Sequence, residues 1–320
     1  MVTPIVAVVD TVFPNLSAAE EALKRVNAEI VIAEKPTPEK ILAVAADADA
    51  VLVTYGQITS EVIKGLNNCK VIGRFGIGID NIDLNAADAK GITVTYAPTY
   101  CLDEVSDHTM ALLLSLARKI PFANNMVSSG RWEMPAVVPV KRIRGMVLGL
   151  IGFGNIPRQI VGKAKAFGIN VVASDPYCPD DIFKEYGVER VDFEELLAIS
   201  DYVSVHAPLT ADTENMLDSA AFNKMKKTAL LINTARGPLV NTEDLALALD
   251  QGKIAGAGLD VLPSEPPKEN DPLIGRDNVV LTPHTGFYSE DALNELQSTV
   301  AADVAAVLAG EQPRFPVSLG

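Results

Sequence analysis

Runs of β-branched and aliphatic residues recur along this chain, and between them lie stretches whose apolar positions fall three and four apart, the spacing of one helix face. Over residues 4–99 the runs stand at 5–9, 29–33, 50–55, 71–74 and 92–96. The intervening stretches carry helix starts: Ser17 ahead of Ala18-Ala19-Glu20-Glu21-Ala22-Leu23, and Thr37 ahead of Pro38-Glu39. A hydroxyl at such a position can accept from a first-turn amide, and proline is tolerated just after it because its missing N–H would have had no helical partner. Strand and helix signals alternating in this way predict stacked βα units around a parallel sheet.

A second series of runs stands at 147–151, 170–174, 202–206, 229–234, 254–260 and 279–282. Six strands suit a doubly wound nucleotide-binding fold. An apolar helix over 103–120 joins the two series, and another over 289–308 closes the chain. That last helix can lie back on the first domain, which makes the first domain discontinuous: residues 1–99 plus 287–320, with 100–286 inserted between them. Residues 121–144, with Asn124-Asn125, Gly130-Arg131-Trp132 and Lys141-Arg142, follow neither period. A projecting loop used in subunit contact and a plain surface loop fit them equally.

Composition narrows the partners. A chain of 320 residues, 48% hydrophobic and 21% charged, is long enough for two ordinary domains. Its 41 acidic against 27 basic residues, a net charge of −14, repel phosphate backbones and anionic membranes, so neither nucleic acid nor a membrane is expected as partner. No apolar run approaches the length of a membrane span, and Met1-Val2-Thr3-Pro4 does not begin a secretion signal. Cys69, Cys101 and Cys178 have no metal-ligand spacing and are an odd number for a disulfide framework. A reducing cytoplasm and no metal site are the expectation.

Two glycine turns compete for a nucleotide: Gly73-Arg74-Phe75-Gly76-Ile77-Gly78 and Gly149-Leu150-Ile151-Gly152-Phe153-Gly154. Any βα turn favours glycine, so the discriminator is an acid about 20 residues on, at the end of the next strand, where it can accept from ribose hydroxyls. Asp175 stands 21 residues after Gly154, whereas the window after Gly76 holds Ala97-Pro98. The second turn is therefore the dinucleotide candidate, and Asp175-Pro176-Tyr177, with no adjacent arginine, favours NAD over NADP. Gly152 would permit the tight turn, and Gly154 the approach of the pyrophosphate to the Asn155 and Ile156 amides at a helix N-terminus. Pro157 replaces the third glycine, in a first helical turn that tolerates it.

Arg236, Glu265 and His284 follow three apolar runs and stand 29 and 19 residues apart. In open α/β sheets chemistry collects outside the carboxyl ends of the strands, so these three can share one crevice. A guanidinium can clamp and polarise a keto acid, an imidazole can protonate the oxygen that gains charge, and a carboxylate beside the imidazole favours its charged form and fixes its tautomer. A lone histidine near a strand end is more often packed than catalytic. His108 is accordingly read as structural, inside the joining helix, and His206 as part of a cofactor wall.

These residues, with Gly76-Ile77-Gly78-Ile79-Asp80-Asn81, Glu104-Val105-Ser106-Asp107-His108, His206-Ala207-Pro208-Leu209-Thr210 and Thr282-Pro283-His284, resemble the D-isomer-specific 2-hydroxyacid dehydrogenases over nearly the whole chain. The family includes glyoxylate/hydroxypyruvate reductases, phosphoglycerate dehydrogenases and the C-terminal-binding-protein corepressors. The resemblance implies an α/β fold of two doubly wound parallel-sheet domains, a Rossmann-type NAD domain inserted into a discontinuous flavodoxin-like substrate domain, in a homodimer. It implies that His206, Ala207, Pro208, Thr213, Thr234, Ala235, Asp260 and Gly286 hold NAD, with Asp260 at the nicotinamide. It further implies that the Ile77 and Gly78 amides, together with Arg236, receive the substrate carboxylate, that Tyr55 lies in a loop governing side-chain specificity, and that His284, Glu265 and Arg236 catalyse. Glutamate beside the histidine, where the related formate dehydrogenases carry glutamine, points to a small 2-keto or 2-hydroxy acid. An NAD(H)-sensing binding module without turnover is the alternative, and glyoxylate, hydroxypyruvate and 3-phosphoglycerate are unranked.

Overall fold

A computed structural model describes residues 3–318 and divides the chain into two compact units, Met1–Tyr100 with Tyr288–Gly320, and Cys101–Phe287. In the first unit the strands are β1 (Ile5–Val8), β2 (Glu29–Ile32), β3 (Ala50–Val53), β4 (Val71–Arg74) and β5 (Thr93–Thr95), all parallel, in the order β2-β1-β3-β4-β5. That is the flavodoxin-like order, whose topological switch lies between β1 and β3. Helices α1 (Ser17–Leu23), α2 (Pro38–Ala45), α3 (Ser60–Gly65) and α4 (Leu84–Ala89) connect the strands. Strands β3 and β4 are buried at every position, as expected of parallel strands covered on both faces. The chain's last helix, Glu290–Leu308, is capped by Ser289, whose hydroxyl accepts from the Ala292 amide, and it belongs to this unit. Gly73 lets it come close: a Cβ there would meet Val300 at 2.7 Å and Val304 at 2.9 Å.

The second unit begins with α5 (Leu102–Ala117) and α6 (Ile120–Ser128). Strands β6 (Val147–Ile151), β7 (Asn170–Ser174), β8 (Glu189–Arg190), β9 (Tyr202–Val205), β10 (Leu230–Asn233), β11 (Gly256–Leu259) and β12 (Val279–Leu281) form an all-parallel sheet ordered β12-β11-β10-β9-β6-β7-β8. Helices α7 (Asn155–Ala166), α8 (Asp180–Tyr186), α9 (Phe193–Ile199), α10 (Ser219–Lys224) and α11 (Thr242–Asp250) cover its faces. The closing helix Glu290–Leu308 is α12. One apolar cluster, with Val203, Val205, Leu231 and Leu245, fills one side of the sheet, and another, with Leu113, Leu148, Leu150 and Ile232, the other. The switch lies between β6 and β9.

Three expectations are corrected. The sheet has seven strands rather than six, because Glu189–Arg190 is two exposed residues with no apolar signature. The helix predicted over 103–120 stops at Ala117, since Lys119 takes a left-handed φ of 52°. Residues 121–144 are not all irregular: α6 spans Ile120–Ser128 and a 3-10 turn spans Met134–Val137. Helix α6 escaped notice because Met126 is its one buried residue, leaving Ile120 and Val127 exposed and its period hidden.

Candidate active site

The register aligns Asn233, Leu259 and Leu281 across β10, β11 and β12, so Arg236, Glu265 and His284 follow three adjacent strands. Asn233, 1% exposed, shapes the first connection: its Oδ1 accepts from the Ala235 amide at 3.0 Å, and its Nδ2 donates to the Arg236 carbonyl at 2.8 Å. Gly237 then lies flat against the next connection, because a Cβ there would fall 2.0 Å from the Leu262 carbonyl carbon. Glycine at this position lets the arginine's loop abut the loop that carries Glu265.

Glu265 and His284 are in direct contact. Oε2 stands 2.6 Å from His284 Nδ1, while Oε1 accepts from the Leu262 amide at 3.1 Å. A carboxylate facing Nδ1 requires a proton there, which leaves Nε2 as the nitrogen that exchanges protons. The residue is held in a left-handed conformation, φ 53°, and its amide donates to the Asp260 carbonyl at 2.8 Å. Phe287 meets the ring edge-on at 6.1 Å.

Asp260 organises that turn. Only 3% exposed, it accepts from the Thr285 amide (2.9 Å) and Thr282 Oγ1 (2.6 Å) at one oxygen and from the Gly286 amide (2.8 Å) at the other. Burial works against its charge, but hydrogen bonds from His108, Thr282 and the two amides outweigh this and hold the carboxyl below its ordinary range. His108 Nε2 stands 2.8 Å from Thr282 Oγ1 and 3.4 Å from Asp260 Oδ1. The single hydroxyl proton of Thr282 goes to Asp260, so Nε2 must carry a proton and donate to Thr282. His108, read from sequence as merely structural, thus belongs to the network that shapes the His284 turn. The signal available was its place in the polar first half of α5, between Asp107 and the buried Thr109, ahead of the apolar second half. Gly286 is confined by the same network, since a Cβ would meet Asp260 Oδ2 at 2.8 Å.

At the switch point, Gly152 has φ 90°, and a Cβ would fall 2.9 Å from the His206 carbonyl carbon. Gly154 meets nothing within 4 Å of that position, and α7 begins at the next residue, with Asn155 and Ile156 first and Pro157 buried in the opening turn. Asp175 ties the turn to the end of β7: Oδ2 accepts from the Phe153 amide at 2.8 Å, Oδ1 from the Tyr177 and Cys178 amides at 2.8 and 3.0 Å. His206 Nε2 lies 2.8 Å from Ser204 Oγ, and burial pushes the imidazole down to about 3, so it is neutral near pH 7. Past β9, buried Ala207 and exposed Pro208 lead to Thr213, whose hydroxyl donates to the Pro208 carbonyl at 2.6 Å. Thr234 and Ala235 follow β10, half-buried; Thr109 donates to the Val105 carbonyl, so the Thr234 hydroxyl donates to Thr109 at 2.9 Å. Tyr55, Ile77 and Gly78 belong to the other unit, after β3 and β4. Among the described residues, no group of three or more His, Cys, Asp or Glu is placed to hold a metal ion.

Residues 110–286 match the family model for the NAD binding domain of D-isomer specific 2-hydroxyacid dehydrogenases. The chain belongs to that family. A D-3-phosphoglycerate dehydrogenase of Methanocaldococcus jannaschii is 40% identical over 296 residues, 91% of this chain and 56% of that protein. A glyoxylate reductase of Korarchaeum cryptofilum is 36% identical over 282 residues, 87% of this chain and 85% of that protein. The solved D-lactate dehydrogenase of Aquifex aeolicus, complexed with NAD and lactic acid, has a TM-score of 0.87 at 28% identity, covering 96% of each chain. The chain spans about half the length of the curated phosphoglycerate dehydrogenases it matches.

Proposed function

We propose that this chain is an NAD-dependent oxidoreductase acting on a small D-2-hydroxy acid or its 2-keto acid. The carrying observation is the 2.6 Å contact of Glu265 with His284 Nδ1, one strand away from the arginine loop. The cofactor suits the residues present: Gly154 leaves room that no protein atom fills, the α7 amides favour a pyrophosphate, and Asp175, His206, Ala207, Pro208, Thr213, Thr234, Ala235, Asp260 and Gly286 line or shape the same strand ends. Bound nicotinamide supplies the reducing equivalent. Arg236, with the Ile77 and Gly78 amides, would hold the acid's carboxylate, and its guanidinium would polarise the keto group. His284 would give its Nε2 proton to the carbonyl oxygen as charge grows there, with Glu265 holding the imidazolium from the other side; in the reverse direction His284 takes the proton back.

The relatives named above are enzymes, which gives the binding-module alternative no support. Steady-state NADH oxidation with a panel of 2-keto acids tests the reading. His284→Gln should lower kcat by about 10²–10⁴-fold while NADH binding, followed by fluorescence, is unchanged. Full activity in that variant, or wild-type protein that binds NADH and turns over nothing, would reject it.

A homodimer is part of the same reading. Trp132 is 88% exposed, Met134 73%, Val138 62% and Ile120 57%, a concentration of apolar surface on one segment. Beside it runs a groove of about 280 Å³ lined by Leu116, Phe122, Ala136, Pro139, Val140 and Val280. Sedimentation should give twice the chain mass, and Trp132→Ser with Met134→Ser should shift it toward the monomer; a monomeric wild type rules this out. Three free cysteines fit a cytoplasmic setting.

A further inference from the structure

Helix α5 lies along the second sheet, packed across β10, β11 and β12. Gly258 in β11 lets it come close, since a Cβ there would meet Leu116 Cδ1 at 2.9 Å and Leu112 Cβ at 3.2 Å. Residues four apart share a helix face, so the row that holds Leu116 and Leu112 continues to His108 one turn further on. At that height β11 has ended at Leu259, and where a third apolar contact would stand an imidazole faces Thr282, one residue past β12. Thr109, the next residue, is buried and meets Thr234, one residue past β10. Two consecutive polar residues of one helix thus tie the connections on either side of β11, the one that leads to His284 and the one that leads to Arg236.

What His108 holds is the backbone beneath the proton donor. His284 has a left-handed φ of 53°, a conformation that residues with a Cβ rarely adopt, so it depends on the bonds around it. Those bonds converge on Asp260: its carbonyl accepts from the His284 amide, and its carboxylate accepts from Thr282 Oγ1 and from the Thr285 and Gly286 amides. Of these donors only the Thr282 hydroxyl can rotate. The Nε2–H of His108, 2.8 Å from Thr282 Oγ1, fills a lone pair of that oxygen and leaves its proton aimed at Asp260. Gly286 lies against the same ring, with His108 Cδ2 only 3.5 Å from where its Cβ would be.

We infer that His108 is a positioning residue for His284: by donating to Thr282 it locks that hydroxyl on Asp260, and so holds the turn over residues 282–286 in the conformation that presents His284 Nε2 to the substrate oxygen. It acts through Thr282 and Asp260 and takes no part in the proton transfer itself. Glu265 sets the tautomer of the His284 ring, whereas His108 sets the backbone that carries it. The inference rests on the dehydrogenase reading above and adds to it a residue on a helix rather than at a strand end.

Steady-state NADH oxidation tests it, with the 2-keto acid of the panel above on which the wild type has its highest kcat. His108→Phe keeps a flat ring and loses the donor; kcat should fall about 10–100-fold, the cost of misplacing a proton donor by up to about an ångström, while KM for the keto acid and the NADH Kd stay within about threefold of wild type. His108→Gln, whose amide reaches as far as Nε2 does, should recover most of the activity. His108→Asn, whose amide falls short of Thr282, should resemble His108→Phe. Added to His284→Gln, His108→Phe should cost little more, because no donor remains to be aimed. A kcat within about twofold of wild type in His108→Phe overturns the inference and leaves the dehydrogenase reading standing. Equal kcat in His108→Gln and His108→Asn, or a full further loss in the double variant, also overturns it, and the first of these comparisons decides if His108→Phe does not fold. Wild-type protein that binds NADH and reduces none of the panel overturns the dehydrogenase reading and this inference with it.

Discussion

The two glycine turns share letters and differ in what the glycines make room for. In the first unit Gly76 has φ 151°, and the atom nearest its missing Cβ is the chain's own Arg74 Nη1. In the second, Gly152 has φ 90° against the His206 backbone, and the space beside Gly154 is empty of protein within 4 Å. One turn is packed by a side chain from its own strand. The other is tight at its first glycine and open at its second, and the twelve-residue helix α7 starts there, with its first amides lacking helical partners. A glycine pattern alone does not name a ligand; what stands where the Cβ would be separates a turn that accommodates the protein from one that can accommodate something else.

Single alanines would sharpen this contrast. Gly152→Ala carries the largest effect, since it meets both a left-handed backbone and main-chain atoms at 2.9 Å that cannot swing away. Thermal or urea unfolding should show a loss of about 2–4 kcal/mol, together with loss of NADH binding. Gly76→Ala should be milder, about 1–2 kcal/mol, because the obstructing guanidinium is the end of a flexible side chain, and NADH affinity should stay as it was. Gly154→Ala should leave unfolding within about 0.5–1 kcal/mol of wild type, the helix-start substitution being small, yet weaken NADH about tenfold or more. Normal NADH affinity in Gly154→Ala would mean that the open space is not where the cofactor approaches.

The same contrast shows what could be read along the chain. The strands were legible because parallel strands covered on both faces are unbroken aliphatic runs, as at 50–53 and 202–205, where every residue is buried. Ends ran one or two residues long, as at 254–260 against Gly256–Leu259, because an apolar residue just past a strand looks the same as one inside it. Glu189–Arg190 has neither length nor apolar content, and α6 follows α5 after a break at Lys119 whose one sequence signal was Pro121, placed in the first turn of the new helix. At the site, Arg236, Glu265 and His284 were legible as chemistry placed after strands. Their support was not: His108 meets Thr282 across 174 residues and Thr109 meets Thr234 across 125, and no local pattern encodes contacts of that range.

The smallest expected effect concerns the neighbour of each turn. Arg74, beside the first, is a permanent cation. His206, whose backbone presses on Gly152, is the opposite case: burial drives its imidazole from 6.5 down to about 3. Between those values the unfolded chain binds a proton that the folded chain refuses, so this residue's contribution to stability is whole above 6.5 and falls away as the pH drops toward 3, by at most about 1.4 kcal/mol per pH unit. His206→Gln, which keeps a polar group near Ser204 but cannot charge, removes that slope. Melts of the two proteins between pH 7.5 and about 4.5 should therefore converge as the solution becomes more acidic, every carboxylate effect being common to both. Parallel curves would mean that the imidazole is reached by water or by a counter-charge and titrates in place. In that event the second turn, like the first, would have a cation at its back, and the difference drawn between them would reduce to the open space beside Gly154.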